Sequence, residues 1–292
     1  MTKKTETPKS ITPRSITGKS ILITGTSTGI GHHAAHALAG RGWTVVAAAR
    51  KAADVARLKE EGLHAVQLDH ADDASIASAL EQTLQLTGGR LDALFNNGAY
   101  GQVGALEDVT TEHLRAQFEA NFFGLHTLTR QALPVMRAQG FGRIVQCSSV
   151  LGFIAAPYRG PYVASKFALE GYTDTLRAEV ARFGIKVVSI QPGPITSAFR
   201  ANALAVFQRT IDADVSAYAD DYALQLKRLH ARGKASFELG PEAVTKVLIK
   251  ALESRSPKPA YRVTTPTHLM ALVKRMLPSR AQAAMLANAR DK

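Results

Sequence analysis

Tyr162 and Lys166 stand four residues apart in the stretch GPYVASKFALEGYTDTLRAEV. On a helix that spacing brings both heads to one face, a turn apart. A free phenol titrates near 10 and is a poor base at neutral pH; an ammonium one turn away favours the phenolate and is expected to lower that value. The pair can then take or give a proton. A surface tyrosine beside a solvated lysine is the plain alternative, and only the surroundings decide. Ser149, thirteen residues upstream in IVQCSSV, offers a hydroxyl able to hold a carbonyl or alkoxide oxygen as charge develops. Asn121, in FEANFFG, is a poor helix former set without evident reason among Phe and Ala.

The elements around these residues follow from alternation. KSILITG, TVVAAAR, HAVQLD, LDALFNNG, GRIVQCSS, IKVVSIQPG and PAYRVT are apolar runs, separated by helical stretches near 30–41, 73–87, 110–138 and 160–182. Continuous Val/Ile/Leu strands alternating with helices imply an α/β fold: one doubly wound parallel sheet of about seven strands, with helices on both faces. No composition break divides it. The expected organisation is a basic tail over 1–18, one domain over 19–292, a covering segment near 197–240, and basic amphipathic helices near 266–290 broken at Pro278. In such a sheet the strands' carboxyl ends open on one edge, where ligands bind, so Ser149 and the Tyr162 helix are expected to converge there.

The same edge carries TGTSTGIG, residues 24–31, directly after the first strand. Glycines there let backbone approach a phosphate, and the following helix N-terminus supplies N–H donors. The spacing of Gly25, Gly29 and Gly31 resembles the cofactor loop of the short-chain dehydrogenase/reductase family. Asn121, Ser149, Tyr162 and Lys166 resemble that family's catalytic tetrad in order and spacing. The likeness spans roughly 19–200, and YVASKFALEG with PGPITSAF is most similar to the branch containing hydroxysteroid and retinol dehydrogenases.

The resemblance implies a Rossmann-type fold. It gives Gly25, Thr26, Ser27, Thr28, Gly29, Ile30 and Gly31 to the dinucleotide phosphates, and makes Tyr162 base in oxidation and acid in reduction. Lys166 would also grip the nicotinamide ribose, and Asn121 would hold a proton-relaying water. Asn97 and Gly98 after strand four, and Pro192, Gly193, Ile195 and Ser197 after strand six, would line the cofactor. Two stretches depart from the family pattern: NNGA at 96–99 stands where Asn-Asn-Ala-Gly is usual, and Ser197 where threonine is common. Strand two ends in Ala49 followed by Arg50 and Lys51, two cations and no carboxylate, which favours NADP(H) over NAD(H). Asp69 either contacts the adenine or caps its own turn.

Tyr100, Leu151, Tyr158 and Phe199 follow the active loops and are expected to wall a site for a lipophilic alcohol and its ketone or aldehyde. The reading is an NADP-dependent oxidoreductase; the alternative is a cofactor-binding regulator without turnover. The +12 net charge sits at the ends. Residues 1–20 hold five Lys or Arg against one Glu, and 255–292 hold eight against one Asp, while 21–254 are close to neutral. That disfavours a nucleic-acid groove and leaves room for weak contact with anionic lipid. A single cysteine, Cys147, and no long apolar run fit a cytoplasmic protein with no transmembrane span. Family habit adds a homodimer or homotetramer built on the long helices. His32 and His36 have metal-ligand spacing, but no carboxylate or cysteine motif accompanies them, so a solvated helix face and no metal are expected.

Overall fold

The computed structural model describes residues 19–230 and 237–288. Seven strands form one sheet: β1 (Ser20–Thr24), β2 (Thr44–Ala49), β3 (His64–Gln67), β4 (Ala93–Asn96), β5 (Gly142–Cys147), β6 (Ile185–Gln191) and β7 (Ala260–Arg262). The order is β3-β2-β1-β4-β5-β6-β7 and every pairing is parallel. The order reverses between β1 and β4, which leaves a crevice outside their carboxyl ends.

Alternate strand residues serve opposite layers. Ile21, Ile23, Val45, Ala47 and Phe95 face one core, completed by α1 (Gly29–Ala39), α2 (Ala52–Glu60) and, later in the chain, the helix Pro241–Glu253. Leu22, Val46, Leu94, Ile144 and Val187 face the other, against α3 (Asp73–Leu86) and two further helices carrying Leu128, Met136, Leu176 and Val180. Both faces are therefore covered, as the unbroken apolar runs require. Asp72 caps α3, its side chain accepting from the Ala74 and Ser75 N–H groups.

The stretch expected to be one helix over 110–138 is three pieces: α4 (Thr111–Phe118), a π turn (Glu119–Phe123) and α5 (Gly124–Gln139). Asn121 lies in the π turn and is fully buried. The helix carrying Tyr162 is α6 (Gly160–Val180), with Pro161 in its first turn, where a missing N–H costs nothing.

After β6 come α7 (Phe199–Thr210), α8 (Ala219–His230), α9 (Pro241–Glu253), α10 (Thr265–Met276) and α11 (Ser279–Asn288). The first two form a separate apolar cluster in which Phe207 and Tyr222 pack on Val103, Ala105 and Tyr158. Tyr222 ties this cover down: its hydroxyl accepts from the Ala105 N–H at 2.8 Å and donates to Asp108. Residues 231–236 of the expected covering segment, the tail 1–18 and the last four residues lie outside the described residues. Among the described residues no helix is long and apolar enough to cross a membrane. On α10, Leu269, Leu272 and Met276 are exposed, while Lys274 donates to the Phe153 carbonyl at 2.6 Å.

Candidate active site

The glycine loop is shaped by what surrounds it. Gly25 and Gly29 adopt φ of +68° and +61°, which side chains disfavour. A Cβ at Gly25 would fall 2.5 Å from Gly98 Cα, one at Gly31 2.3 Å from the Gly25 carbonyl, and one at Gly29 2.7 Å from Ser197 Cβ. Thr26 is buried, its N–H and Oγ1 both bonded to the Ala48 carbonyl. It pins the loop to β2. Asn97 Nδ2 donates to the Thr24 and Gly25 carbonyls at 3.0 and 3.1 Å, and the Thr24 hydroxyl accepts from the Asn97 and Gly98 N–H groups. Thr28 begins α1 without a side-chain cap, so first-turn N–H groups are left to a ligand.

Beside this loop a cleft of about 590 Å³ runs from Gly25, Ser27, Thr28 and Ile30, past Asn97 and Gly98, to Ser149, Leu151 and Tyr162. Its other wall is Pro192, Gly193, Ile195, Ser197 and Phe199. That size suits an organic ligand. Bare glycine backbone, uncapped N–H groups and a facing wall of Pro192, Gly193 and Ile195 fit a dinucleotide, so the residues present suit the expected cofactor. A Cβ at Gly193 would lie 2.0 Å from Thr264 Oγ1, which is bonded to Thr267 Oγ1 at 2.9 Å.

At the far end the sequence's pair and its serine meet. Ser149, two residues beyond β5, accepts the Leu151 N–H through Oγ. The Tyr162 phenol is pushed up by burial and pulled partly back by a hydrogen bond with Ser149. The lowering expected from Lys166 is not what sets the value: burial dominates, with the Ser149 hydrogen bond and then Arg159 opposing it. Lys166 is buried behind the ring, Nζ 5.7 Å from its centroid, donating to the Cys147 carbonyl at 2.8 Å. Burial lowers the Lys166 value, with Cys147 and Glu170 opposing. Phe199 packs edge-on against Tyr162 at 5.3 Å between ring centres.

Asn121 does not line the cleft. Its side chain clasps the backbone of Tyr100, Oδ1 accepting from N–H at 3.1 Å and Nδ2 donating to the carbonyl at 2.9 Å, and it reaches Ser165 at 3.3 Å. The loop after β4 is thereby fixed against α6. Tyr100 and Tyr158 also stand off the cleft wall, contrary to expectation. Tyr100 is held by its main chain, which Gln117 also bonds. Tyr158 is buried against Tyr218 and Tyr222 at 6.1 Å each, in a left-handed conformation (φ 60°) that this packing sustains.

Arg50 and Lys51 are exposed at the end of β2, outside the cleft lining. Asp69 takes the turn-capping role, Oδ1 accepting from the Ala71 N–H at 3.0 Å. Sequence reasoning missed His70. Its ring fills the space that a side chain at 98 would need, Cε1 lying 2.8 Å from a Cβ built there. Gly98 in NNGA is thus explained. The Nε2 atom of His70 is buried without a partner, and burial lowers its value to about 4, with Asp69 opposing and Lys166 adding to the fall. Arg200 and Glu238, paired at 3.2 Å across the cleft wall, also gave no sequence signal. Away from the cleft, His32 and His36 do have a carboxylate partner: both reach Glu61.

A family model described as short chain dehydrogenase matches residues 19–205. The chain belongs to that family. The short-chain dehydrogenase is 40% identical over 261 residues to the oxidoreductase YbbO of Escherichia coli strain K12, covering 89% of this chain and 91% of that protein. It is 32% identical over 277 residues to retinol dehydrogenase 8 of Bos taurus, covering 89% and 86%. A short-chain dehydrogenase from Streptomyces avermitilis superposes with a TM-score of 0.74 at 28% identity, over 92% of this chain and 95% of that one. Such enzymes are oxidoreductases, and this one acts on CH–OH donors.

Proposed function

We propose that this short-chain dehydrogenase interconverts a lipophilic alcohol and its ketone or aldehyde with NADP(H). The observation that carries the reading is the meeting of Ser149 and Tyr162, with Lys166 buried behind the ring, at one end of a cleft whose other end is bare glycine backbone. A nicotinamide dinucleotide, held by Gly25, Ser27, Thr28, Ile30, Pro192, Gly193, Ile195 and Ser197, would supply or take the hydride. The Ser149 hydroxyl donates to the substrate oxygen and steadies its growing charge in reduction. Tyr162 gives that oxygen its proton, and burial keeps the phenol protonated at neutral pH so that the proton is there to give. In oxidation the phenol must lose its proton against its own burial, and the Lys166 ammonium behind the ring offsets that cost. Asn121 acts at one remove, by fixing Tyr100 against α6.

Arg50 and Lys51 support NADP(H), being exposed cations after β2 with no carboxylate partner among the described residues. Leu151, Val150, Phe199 and Ile195 support a lipophilic substrate, since they leave the wall near Tyr162 apolar. The relative named a retinol dehydrogenase points the same way. Exposed Phe123 and Phe167, on the helical stretches expected to join subunits, support a homodimer that sedimentation would reveal.

The deciding experiment pairs turnover with cofactor binding. Tyr162→Phe should lower kcat by about 10³-fold while NADPH affinity stays within about threefold. Full turnover in the variant would sink the mechanism, and binding without turnover in the wild type, across lipophilic aldehydes, ketones and alcohols, would favour the regulator instead. Replacing Arg50 and Lys51 together by alanine should weaken NADPH about tenfold or more and leave NADH nearly unchanged.

A further inference from the structure

The imidazoles of His32 and His36 sit one turn apart on α1, and their rings are 4.7 Å between centres. Glu61 closes α2 beside them, 29 and 25 residues away in sequence. Its Oε2 lies 2.7 Å from His32 Nε2 and 2.8 Å from His36 Nε2, and the three ligand atoms fall within 4.8 Å of one another. We propose that His32, His36 and Glu61 form a surface site for a divalent transition-metal ion of the zinc type, bridging α1 and α2.

The donor set is the first reason. Two imidazole nitrogens and one carboxylate oxygen suit zinc and its neighbours, and solvent can complete a tetrahedral shell because the three side chains are 32%, 39% and 28% exposed. Geometry is the second. Ligands about 2.0–2.2 Å from a tetrahedral centre stand roughly 3.4 Å apart. For an ion to enter, the carboxylate need retreat by less than about an ångström, and the two imidazole nitrogens, within 4.8 Å of one another, swing in toward the same spacing. Proton balance is simple for neutral rings: the hydrogen that each Nε2 now offers Glu61 moves to Nδ1 through solvent, and the Nε2 lone pair turns to the metal. Nothing is oxidised or reduced.

Arg57 is the competitor. Its Nη1 donates to Glu61 Oε1 at 2.5 Å and its Nη2 to the Ser27 carbonyl at 2.6 Å, with Asp54 a further 3.4 Å partner. A dication and the guanidinium contend for one carboxylate, so the site is weaker than a structural zinc centre and tightens when Arg57 is neutralised.

The test is calorimetric titration of the full, untagged, chelator-stripped chain with zinc chloride, repeated with cobalt(II) followed by its visible absorption. One ion should bind per chain with a Kd on the order of 10 µM. Single substitutions His32→Ala, His36→Ala and Glu61→Gln should each weaken it at least about tenfold, while Arg57→Gln tightens it about threefold or more. His33, on the same helix but bonded to Thr245, is the control, and His33→Ala should leave binding unchanged. Zinc should raise the melting temperature of the wild type and not of His36→Ala, whose own midpoint without metal reports that it folds. The proposal is overturned by the absence of saturable binding below about 1 mM, or by binding that survives both histidine substitutions as an adventitious ion would.

Discussion

At the scale of single residues, proton affinity governs what Tyr162 can do. A phenol raised by burial keeps its proton across the neutral range. The wild-type kcat/KM for reduction should therefore stay flat to alkaline pH, and for oxidation should climb as pH rises, because only the deprotonated form accepts a proton. Lys166→Met removes the ammonium behind the ring and should drive that oxidative limb higher still, read from pH–rate profiles in both directions. His70 makes a different statement. Its folded value of about 4 lies below the ordinary 6.5, so between those limits the unfolded chain takes up a proton that the folded one refuses. Stability then falls as pH drops through that window, by at most about 3 kcal/mol, and is fully present above it. Urea unfolding at pH 7 and 4.5 should show the loss in wild type and a smaller one in His70→Val. The same pair of positions explains a local exchange of sequence. Gly98→Ala alone should destabilise through contact with the imidazole, and combining it with His70→Val should recover most of the loss in a double-mutant cycle.

At the scale of elements, the π turn and the helical cover carry the predictions. Asn121→Ala strips the Tyr100 N–H of its partner and leaves the carbonyl to Gln117 alone, and should cost about 1–3 kcal/mol, with kcat falling as the loop after β4 loosens. Tyr222→Phe removes a buried hydroxyl that serves Ala105 and Asp108, and should cost a similar amount. A rise in substrate KM larger than the fall in kcat would mark α7 and α8 as the substrate's cover. The seven strands were legible because both faces of a parallel sheet must be apolar, and the glycine loop and Tyr162–Lys166 pair because each chemistry demands one spacing. The break in the 110–138 helix was not, since a π turn adds one residue to a turn for tertiary reasons: the Asn121 side chain must meet Tyr100. Tyr158 misled for a like reason. Its position beside an active loop was readable, but the left-handed backbone that turns it under the cover was not. Glu61 was hidden from His32 and His36 by distance along the chain.

For the whole molecule, the cleft lies where β1 and β4 part, so a dinucleotide bound there would bridge the two halves of the sheet. NADPH at about 100 times its Kd should stabilise the fold by about 2.7 kcal/mol and raise the melting point by about 5–10 °C, with NADH falling short at equal concentration. The clustering of charge has a reading too: a body near neutrality between basic ends should keep its turnover at high salt, where any attraction of those ends to anionic vesicles fades. The seat shared by Gly193 and the Thr264–Thr267 pair joins the turn after β6 to the start of α10. No methyl group fits between them. Trimming the chain after residue 263 would thus do more than shorten an end; it would take away the buttress beneath the Pro192–Gly193 wall of the cleft, and loss of activity should precede any visible loss of secondary structure.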